Sequence, residues 1–396
     1  MTDSRLPTIV ANAEQVIARF LGSPIRIGDP EVLRDFGYPR VLRCPVLESP
    51  ADIGPSVILK RFGISGNGHY DIANAQKPWG GLFSEWAGAT FLEDLGLQPS
   101  LGPRCFGGDT NTGLVVLEDL GPGQSLADSL QSGNPHAAEN AFTQYAASLG
   151  RLHAATIGHQ VHLEAIWSQC GHPWQIDQTP YRQAESWPHE NAAPFREACS
   201  ALGVPIATGF DKEANGVWQE MANPGPFLAF TPGDPCPDNH RLISNHYCRF
   251  FDFEASGYRH ALLDAAYCLL PFPTCWCVLR LPSTAAPLAI HAYRSELQHR
   301  CPAATDENRF FTALAQACAS WTISYISWNL REALESNRPT GLAPQRQRLI
   351  YHLDTFIETA DLLSRLPALR DTTAALAAYL RCLWPEESEI PFFPMK

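Results

Sequence analysis

At Glu118-Asp119-Leu120-Gly121-Pro122-Gly123-Gln124 the chain changes character. On the amino-terminal side, apolar residues come in short runs between turn signals. Beyond it, nearly every apolar segment repeats at helical spacing. A sequence divided in this way specifies a strand-rich amino-terminal lobe, a short linker and a larger helical lobe, and the crevice between two lobes is a common place for a ligand.

In the first lobe, Ile25–Ile27, Val41–Leu47, Ser56–Phe62 and Leu114–Leu117 read as strands, bounded by Gly-Asp-Pro, Ser-Pro and Thr-Gly turns. One helix interrupts them, Ser84 to Leu95, stopped at Gly96. A small antiparallel sheet with one helix is the simplest assembly. In the second lobe, Phe142, Tyr145, Ala146, Leu149, Leu152 and His153 share a face within His136–Thr156. Leu349, Ile350, Leu353, Phe356, Ile357, Ala360 and Leu363 do so within Gln345–Leu366. Asp306–Ser336, with Phe310, Leu314, Ala317, Trp321, Tyr325 and Trp328, reads as a longer buried helix, and Tyr247–Phe253 as a strand-like insert. The expected fold class is α+β and two-lobed, with residues 1–117 as one lobe, 118–124 as a hinge and 125–396 as the helical lobe.

The chain carries 29 Lys and Arg against 41 Asp and Glu, a formal net charge of −12. That disfavours broad electrostatic binding to nucleic acid or an anionic membrane. The most apolar stretch, Ala261 to Leu281, is broken by Asp264, Pro271, Pro273 and Arg280, so it is not a membrane span. Met1 to Arg5 has no apolar segment behind it, and a secretory signal is not expected. The 12 cysteines are scattered, several in apolar runs, and read as reduced thiols of a cytoplasmic protein. Cys275 and Cys277 form a C-x-C without a second Cys/His pair at zinc spacing, and the histidines form no H-E-x-x-H.

The strongest local signal is Phe230-Thr231-Pro232-Gly233-Asp234-Pro235-Cys236-Pro237-Asp238-Asn239, followed by Arg249-Phe250-Phe251-Asp252-Phe253-Glu254. An Asp, an Asn five residues on, and a second Asp ending an apolar strand suit phosphoryl transfer. That chemistry needs one carboxylate to orient or deprotonate a hydroxyl, here Asp234. It also needs oxygen ligands to hold Mg²⁺ against phosphates, here Asn239 and Asp252. The same residues also suit a proline-rich turn in which Asp234 and Asn239 cap backbone groups and Asp252 closes a strand.

Three companions fit the same mechanism. Val57-Ile58-Leu59-Lys60 looks like the strand whose lysine pairs with ATP phosphates, and in a strand Lys60 shares its face with Ile58 and Phe62. The other reading is a lysine leaving a strand end into water. Glu85, on the one helix of the small lobe, can pair with Lys60, although Glu93 and Asp94 compete for that role and a helical Glu is commonly solvated. Leu114-Val115-Val116-Leu117-Glu118-Asp119-Leu120 is an extended entry to the linker. It offers backbone groups at Leu117, Glu118 and Leu120 to an adenine edge, or simply connects the lobes.

Together these segments resemble the aminoglycoside phosphotransferase and choline kinase family, from about Ile25 to about Pro273. Ser148-Leu149-Gly150-Arg151-Leu152-His153-Ala154 is similar to the family's helix before the catalytic region, and Leu262-Leu263-Asp264-Ala265-Ala266-Tyr267 to its segment after the metal-binding Asp. The resemblance implies a two-lobed protein-kinase-like fold and a dependence on ATP and Mg²⁺. It implies Asp234 as catalytic base, Asn239 and Asp252 as Mg²⁺ ligands, Lys60 on phosphate and Glu85 positioning Lys60. The chain departs from the family at Pro232, where a His is usual. It departs again in Asp35-Phe36-Gly37-Tyr38-Pro39-Arg40, a phosphate-covering loop with one glycine, which would leave phosphate to Lys60 or Arg40. Glu254 stands where protein kinases have glycine.

The expected partner is a small-molecule hydroxyl acceptor such as an aminoglycoside, amino alcohol or sugar, with no nucleic acid and no membrane. Trp167, Trp174, Tyr181, Trp187 and Trp218 lie among Glu164, Asp177, Glu185, Glu190 and Glu197, which would suit an amine-bearing acceptor, or else serve packing. The run Glu386-Glu387-Ser388-Glu389 fits the same role or a solvated tail. The rival reading is a catalytically silent kinase-like protein that binds nucleotide or a protein partner.

Overall fold

The computed structural model describes residues 6–34, 40–63, 71, 73, 81–171, 192–244, 247–270, 272–281, 284–387 and 389–393. In chain order the first elements are α1 (Leu6–Leu21), β1 (Arg26–Ile27), β2 (Glu31–Arg34), β3 (Arg40–Glu48), β4 (Ser56–Arg61), α2 (Leu82–Asp94), β5 (Cys105–Asp109) and β6 (Leu114–Glu118). The strands form one antiparallel sheet in the order β1-β3-β4-β6-β5, with β2 beside β3.

The sheet is covered on both faces, and strand alternation sorts its residues between them. Leu59 and Val116 are cross-strand partners and pack with Ile9, Ala13, Val16 and Ile17 of α1. Lys60 and Val115 are the next pair and lie on the opposite, α2 side. Among the described residues the lobe therefore carries two long helices, α1 and α2, rather than one. The first is α1, whose buried Ile9, Ala13, Val16 and Ile17 repeat every three or four residues. The strands β2 and β5 were also not anticipated: β2 is exposed throughout and β5 contains Gly107 and Gly108, so neither has an apolar alternation to read.

Residues 119–125 form neither helix nor strand. The helical part follows as α3 (Leu126–Gln131), α4 (Pro135–Thr156), α5 (Gln160–Gln169), α6 (Ala193–Leu202), α7 (Phe210–Ala222), α8 (Leu262–Ala265), α9 (Ala285–Leu297), α10 (Glu307–Glu335), α11 (Gln345–Leu363) and α12 (Pro367–Leu383). Chemistry at the helix starts explains where several begin. Ser125 and Asp128 form a reciprocal capping box on α3, and the Asn134 and Asp306 side chains accept from Ala137 N–H and Arg309 N–H at the starts of α4 and α10. The expected insert at Tyr247–Phe253 is one arm of a hairpin, β8 (His240–Ser244) with β9 (Tyr247–Phe250); β7 (Leu228–Thr231) pairs with β10 (Gly257–His260).

The Ser148–Ala154 segment of α4 holds these strands in place. The Cys248 N–H of β9 donates to Ser148 Oγ at 2.8 Å, and Arg151 makes a two-pronged contact with Glu296 of α9 at 3.0 and 3.3 Å. Gly150 lies so close to α9 that a Cβ there would stand 2.3 Å from the Tyr293 carbonyl oxygen. No helix among the described residues is long and apolar enough to cross a membrane.

Candidate active site

A cavity of about 420 Å³ lies between the sheet and the β8–β9 hairpin. Lys60, Glu85, Leu117, Glu118 and Leu120 line it, together with Asn239 and Asp252. Lys60 is buried, and its Nζ is 2.6 Å from Glu85 Oε2 and in direct contact with Asp252 Oδ1. Burial alone would pull the ammonium pKa down. The charges of Asp252, Glu85 and Glu254 more than offset that, so Lys60 stays charged with a raised pKa. The helix α2 is apolar nearly all round, and Glu85 is fully buried in its first turn. Glu93, the competing candidate, is engaged elsewhere, with Arg104 at 3.2 Å and the Cys105 N–H at 2.9 Å.

The segment after Asp252 is clamped to α2. Ser256 Oγ donates to the Ser84 carbonyl at 3.1 Å, and a Cβ on Gly88 would meet that hydroxyl at 2.7 Å. Asp252 itself adopts a left-handed backbone with φ of 69°. Glu254 is held near the same cluster, where burial and the charge of Asp252 push its carboxyl up to about 8.

Asp234 follows β7 on a tight turn at Gly233, whose φ is 85° and where a Cβ would lie 2.1 Å from the Ala255 carbonyl oxygen. Only glycine fits there. Thr274 Oγ1 donates to Asp234 Oδ1 at 2.7 Å, and Asn239 Nδ2 donates to the Asp234 carbonyl at 3.0 Å and approaches its Oδ2 at 3.3 Å. Burial, then the charges of Asp252 and Asp238, pushes the Asp234 carboxyl up to about 6, against the opposing Thr274 hydrogen bond. Pro232 occupies the usual histidine position. Support for the loop comes instead from the Tyr145 hydroxyl, which donates to the Pro235 carbonyl at 2.6 Å, and from the Asn239 amide.

The donor set suits a hard divalent cation. Asn239 spends its amide nitrogen on Asp234, which leaves its carboxamide oxygen without a hydrogen bond among the described residues, and Asp252 uses one carboxylate oxygen on Lys60. Glu85 and Asp252 share the single Lys60 ammonium, one carboxylate more than it can pair.

The 118–124 segment, expected as a hinge, offers fewer free groups than its sequence suggested. The Glu118 N–H donates to the Arg104 carbonyl at 2.9 Å, and its side chain is held by Arg249 at 2.6 and 2.9 Å, which lowers its pKa despite burial. The Leu120 N–H has no partner among the described residues. Of the phosphate-covering loop, residues 35–39 lie outside the described residues. Arg40 does not line the cavity, whereas Arg34, Arg43 and Arg241 do.

Cys236 and Cys275, expected as thiols, are joined in a disulfide. The fold brings their Cα atoms to 5.8 Å across 39 residues of sequence, a proximity that spacing alone could not reveal. The bond ties the Asp234 loop to the segment carrying Thr274. The remaining cysteines are free.

Sequence reasoning missed Thr274, and it also missed a second cavity of about 340 Å³ bounded by Thr274, Trp276, Tyr325, Trp328, Gln345 and Arg348. None of the described residues of the aromatic and acidic stretch expected to receive an acceptor lines this cavity. Trp167 is buried in the core and Trp218 is half-buried; Trp174, Asp177, Tyr181, Glu185, Trp187 and Glu190 lie outside the described residues. Glu389 contacts Arg280 with its side chain still largely in solvent, in keeping with a solvated tail. No periodicity or motif marks Thr274 or Arg348.

No family model matches the sequence, and no curated protein does. Solved structures do resemble it. A choline kinase from Cryptosporidium parvum is 14% identical, with 94% of this chain and 99% of that one covered and a TM-score of 0.49. A choline/ethanolamine kinase family protein from Mesorhizobium loti is 16% identical, with 93% and 99% covered and a TM-score of 0.43. A putative fructosamine-3-kinase from Haemophilus somnus is 12% identical, with 91% and 99% covered and a TM-score of 0.44. Within the chain itself, an antiparallel sheet with its buried Lys60–Glu85 pair stands against a helical lobe whose loops carry Asp234, Asn239 and Asp252. The chain thus has an α+β, two-lobed fold, an antiparallel sheet set against a larger helical part.

Proposed function

We propose that this protein is an ATP- and Mg²⁺-dependent phosphotransferase that phosphorylates a hydroxyl group of a small molecule in the cytoplasm. The observation that carries the reading is the contact of Lys60 with both Glu85 and Asp252, on the wall of the cavity that Asn239 also lines. A buried lysine held by two carboxylates beside an open cavity suits anionic phosphate.

In this reading residues 1–117 form the nucleotide-binding lobe, 118–124 the hinge and 125–396 the acceptor-binding lobe. Leu117, Glu118 and Leu120 flank the adenine, with the Leu120 N–H as the open donor. Lys60, positioned by Glu85, takes the phosphate oxygens. Asn239 and Asp252 would hold Mg²⁺, which when bound neutralises charge on the phosphates. Asp234 accepts the proton of the acceptor hydroxyl as its oxygen bonds to the γ-phosphorus and the bond from that phosphorus to ADP breaks. The Thr274 hydroxyl donates to Oδ1, which fixes the carboxylate plane for that transfer. With its pKa near 6, Asp234 is largely ionised at neutral pH.

The test is ADP release in the presence of hydroxyl acceptors, with Asp234→Asn as control. The expected result is turnover that falls by about 10²–10⁴-fold in the variant, the usual weight of a positioned base. Absence of turnover with every acceptor, in a protein that still binds ATP, favours the catalytically silent alternative.

A further inference from the structure

Thr274 Oγ1, the atom that donates to Asp234 Oδ1 at 2.7 Å, also stands 2.8 Å from the hydroxyl of Tyr267. A threonine hydroxyl has one proton and two lone pairs, so it cannot donate to both oxygens at once. An ionised Asp234 carboxylate only accepts. The Cys236 and Cys275 sulfurs, 3.5 and 4.0 Å from Oγ1, carry no hydrogen because they form the disulfide. The Thr274 proton therefore goes to Asp234, and the Tyr267 hydroxyl donates to Thr274. Two hydroxyls in series point at one carboxylate.

Packing fixes the inner end of the series. Tyr267 is fully buried in the turn that follows α8, with its ring edge-to-face on Trp321 of α10 at 5.4 Å. The Trp321 indole N–H in turn donates to the Leu263 carbonyl at 2.8 Å. Thr274 is the one partner of the Tyr267 hydroxyl among the described residues, and losing it would leave a buried phenol unsatisfied. Burial and the charge of Asp234 push that phenol well above its usual pKa, so it remains a donor. The outer end is different. Thr274 is exposed, and a hydroxyl in contact with water is free to turn its proton away from Asp234 unless a second donor sets its direction. Its backbone is tethered on the carboxyl side, where Cys275 is bonded to Cys236, the Cys275 carbonyl accepts from Arg348, and Trp276 Nε1 donates to Asp238 Oδ2 at 2.8 Å.

We infer that Tyr267 is a positioning residue for the phosphoryl transfer, acting through Thr274. It directs the Thr274 proton onto Asp234 Oδ1. That leaves Oδ2, which the Asn239 amide approaches at 3.3 Å, to receive the proton of the acceptor hydroxyl. Neither Tyr267 nor Thr274 gains or loses a proton in the step; the acceptor's proton ends on Asp234, and the two hydroxyls hold the carboxylate plane against rotation. The inference rests on the phosphotransferase reading for what Asp234 does, but the hydroxyl series itself does not depend on turnover.

The experiment is a double-mutant cycle on the full chain, read by ADP release and by urea unfolding. Tyr267→Phe keeps the ring and its contact with Trp321 and removes only the hydroxyl. Its kcat should fall about 2–10-fold, the weight of one neutral hydrogen bond, with the KM for ATP unchanged. Thr274→Val should cost about 10–10²-fold, as for a hydrogen bond to a charged group, and Thr274→Ser should recover most of that loss. In the Thr274→Val background, Tyr267→Phe should cost nothing further, because its effect passes through the missing hydroxyl. A tyrosine that serves packing alone gives losses that multiply. In urea, the midpoint shift of the double variant should be smaller than the two single shifts added together. An unchanged kcat in Tyr267→Phe, rate losses that multiply, or additive midpoint shifts overturns the inference. Absence of ADP release by the unaltered protein with every acceptor would count against the phosphotransferase reading instead, and the urea cycle would still decide whether Tyr267 bonds through Thr274.

Discussion

Lys60 of β4 and Asp252 beyond β9 touch although 192 residues separate them in sequence. Glu85 of α2 meets the same ammonium at 2.6 Å, so one buried lysine joins the sheet, its helix and the helical lobe. Removing the charge strands Glu85 in a fully buried position. Lys60→Met should therefore destabilise the fold by about 3–5 kcal/mol, as when one partner of a buried pair is deleted, and abolish nucleotide binding. Urea unfolding measures the first effect and nucleotide titration the second. A variant of undiminished stability that still binds nucleotide would refute the assigned role.

Asp234 is held with its pKa near 6, above the 3.8 of an unperturbed Asp. A base must be ionised to accept a proton, so activity rises with pH as the carboxyl loses its own. The kcat/KM of the free protein should fall tenfold per pH unit below about 6 and level off above it. A pH–rate profile read between pH 5 and 8 checks this, and a profile flat down to pH 5 would show an Asp234 that burial does not perturb.

Gly233→Ala should be worse for turnover than for folding. The added methyl meets the Ala255 carbonyl at 2.1 Å in a backbone region that alanine disfavours, and relief requires shifting the residue next to Asp234. Displacement of about 1 Å at a reacting group costs on the order of 10²-fold in kcat. Steady-state kinetics beside a thermal melt separates the two effects.

The Cys236–Cys275 bond closes a loop of sequence separation 39. On chain-entropy grounds its loss should cost about 4 kcal/mol, with strain and residual denatured structure reducing that. Thiol titration of the unreduced, denatured chain should count ten thiols of the 12 cysteines, and all 12 only after reductant. Cys275→Ser should lower the melting temperature and loosen the Thr274 bond to Asp234.

Much of the fold was legible because helices of this size carry their own pattern. The face running from Phe142 to His153 and the run from Phe310 to Tyr325 are buried where 3.6-residue spacing put them. The Lys60 face was legible for the same kind of reason: alternation along β4 sends Ile58, Lys60 and Phe62 to one side. The helix α1 was readable by that logic and was passed over, while the exposed β2 and the glycine-bearing β5 offered no pattern at all. The surroundings of Thr274 stayed hidden for a different reason. Thr274, Arg348 and Cys275 converge through tertiary packing between the segment after β10 and α11, and no local spacing encodes a contact between residues so far apart.

The central claim is a nucleotide site completed by a divalent cation on Asp252 and Asn239. The most direct measurement is a thermal-shift titration with ATP, with and without Mg²⁺, on the unaltered protein and on Asp252→Ala. At a hundredfold over Kd, bound nucleotide adds about 2.7 kcal/mol of stability, enough to move the midpoint visibly. The account predicts a Mg²⁺-dependent upward shift that Asp252→Ala abolishes. No shift with ATP under either condition, or one that neither Mg²⁺ nor Asp252 affects, would contradict it.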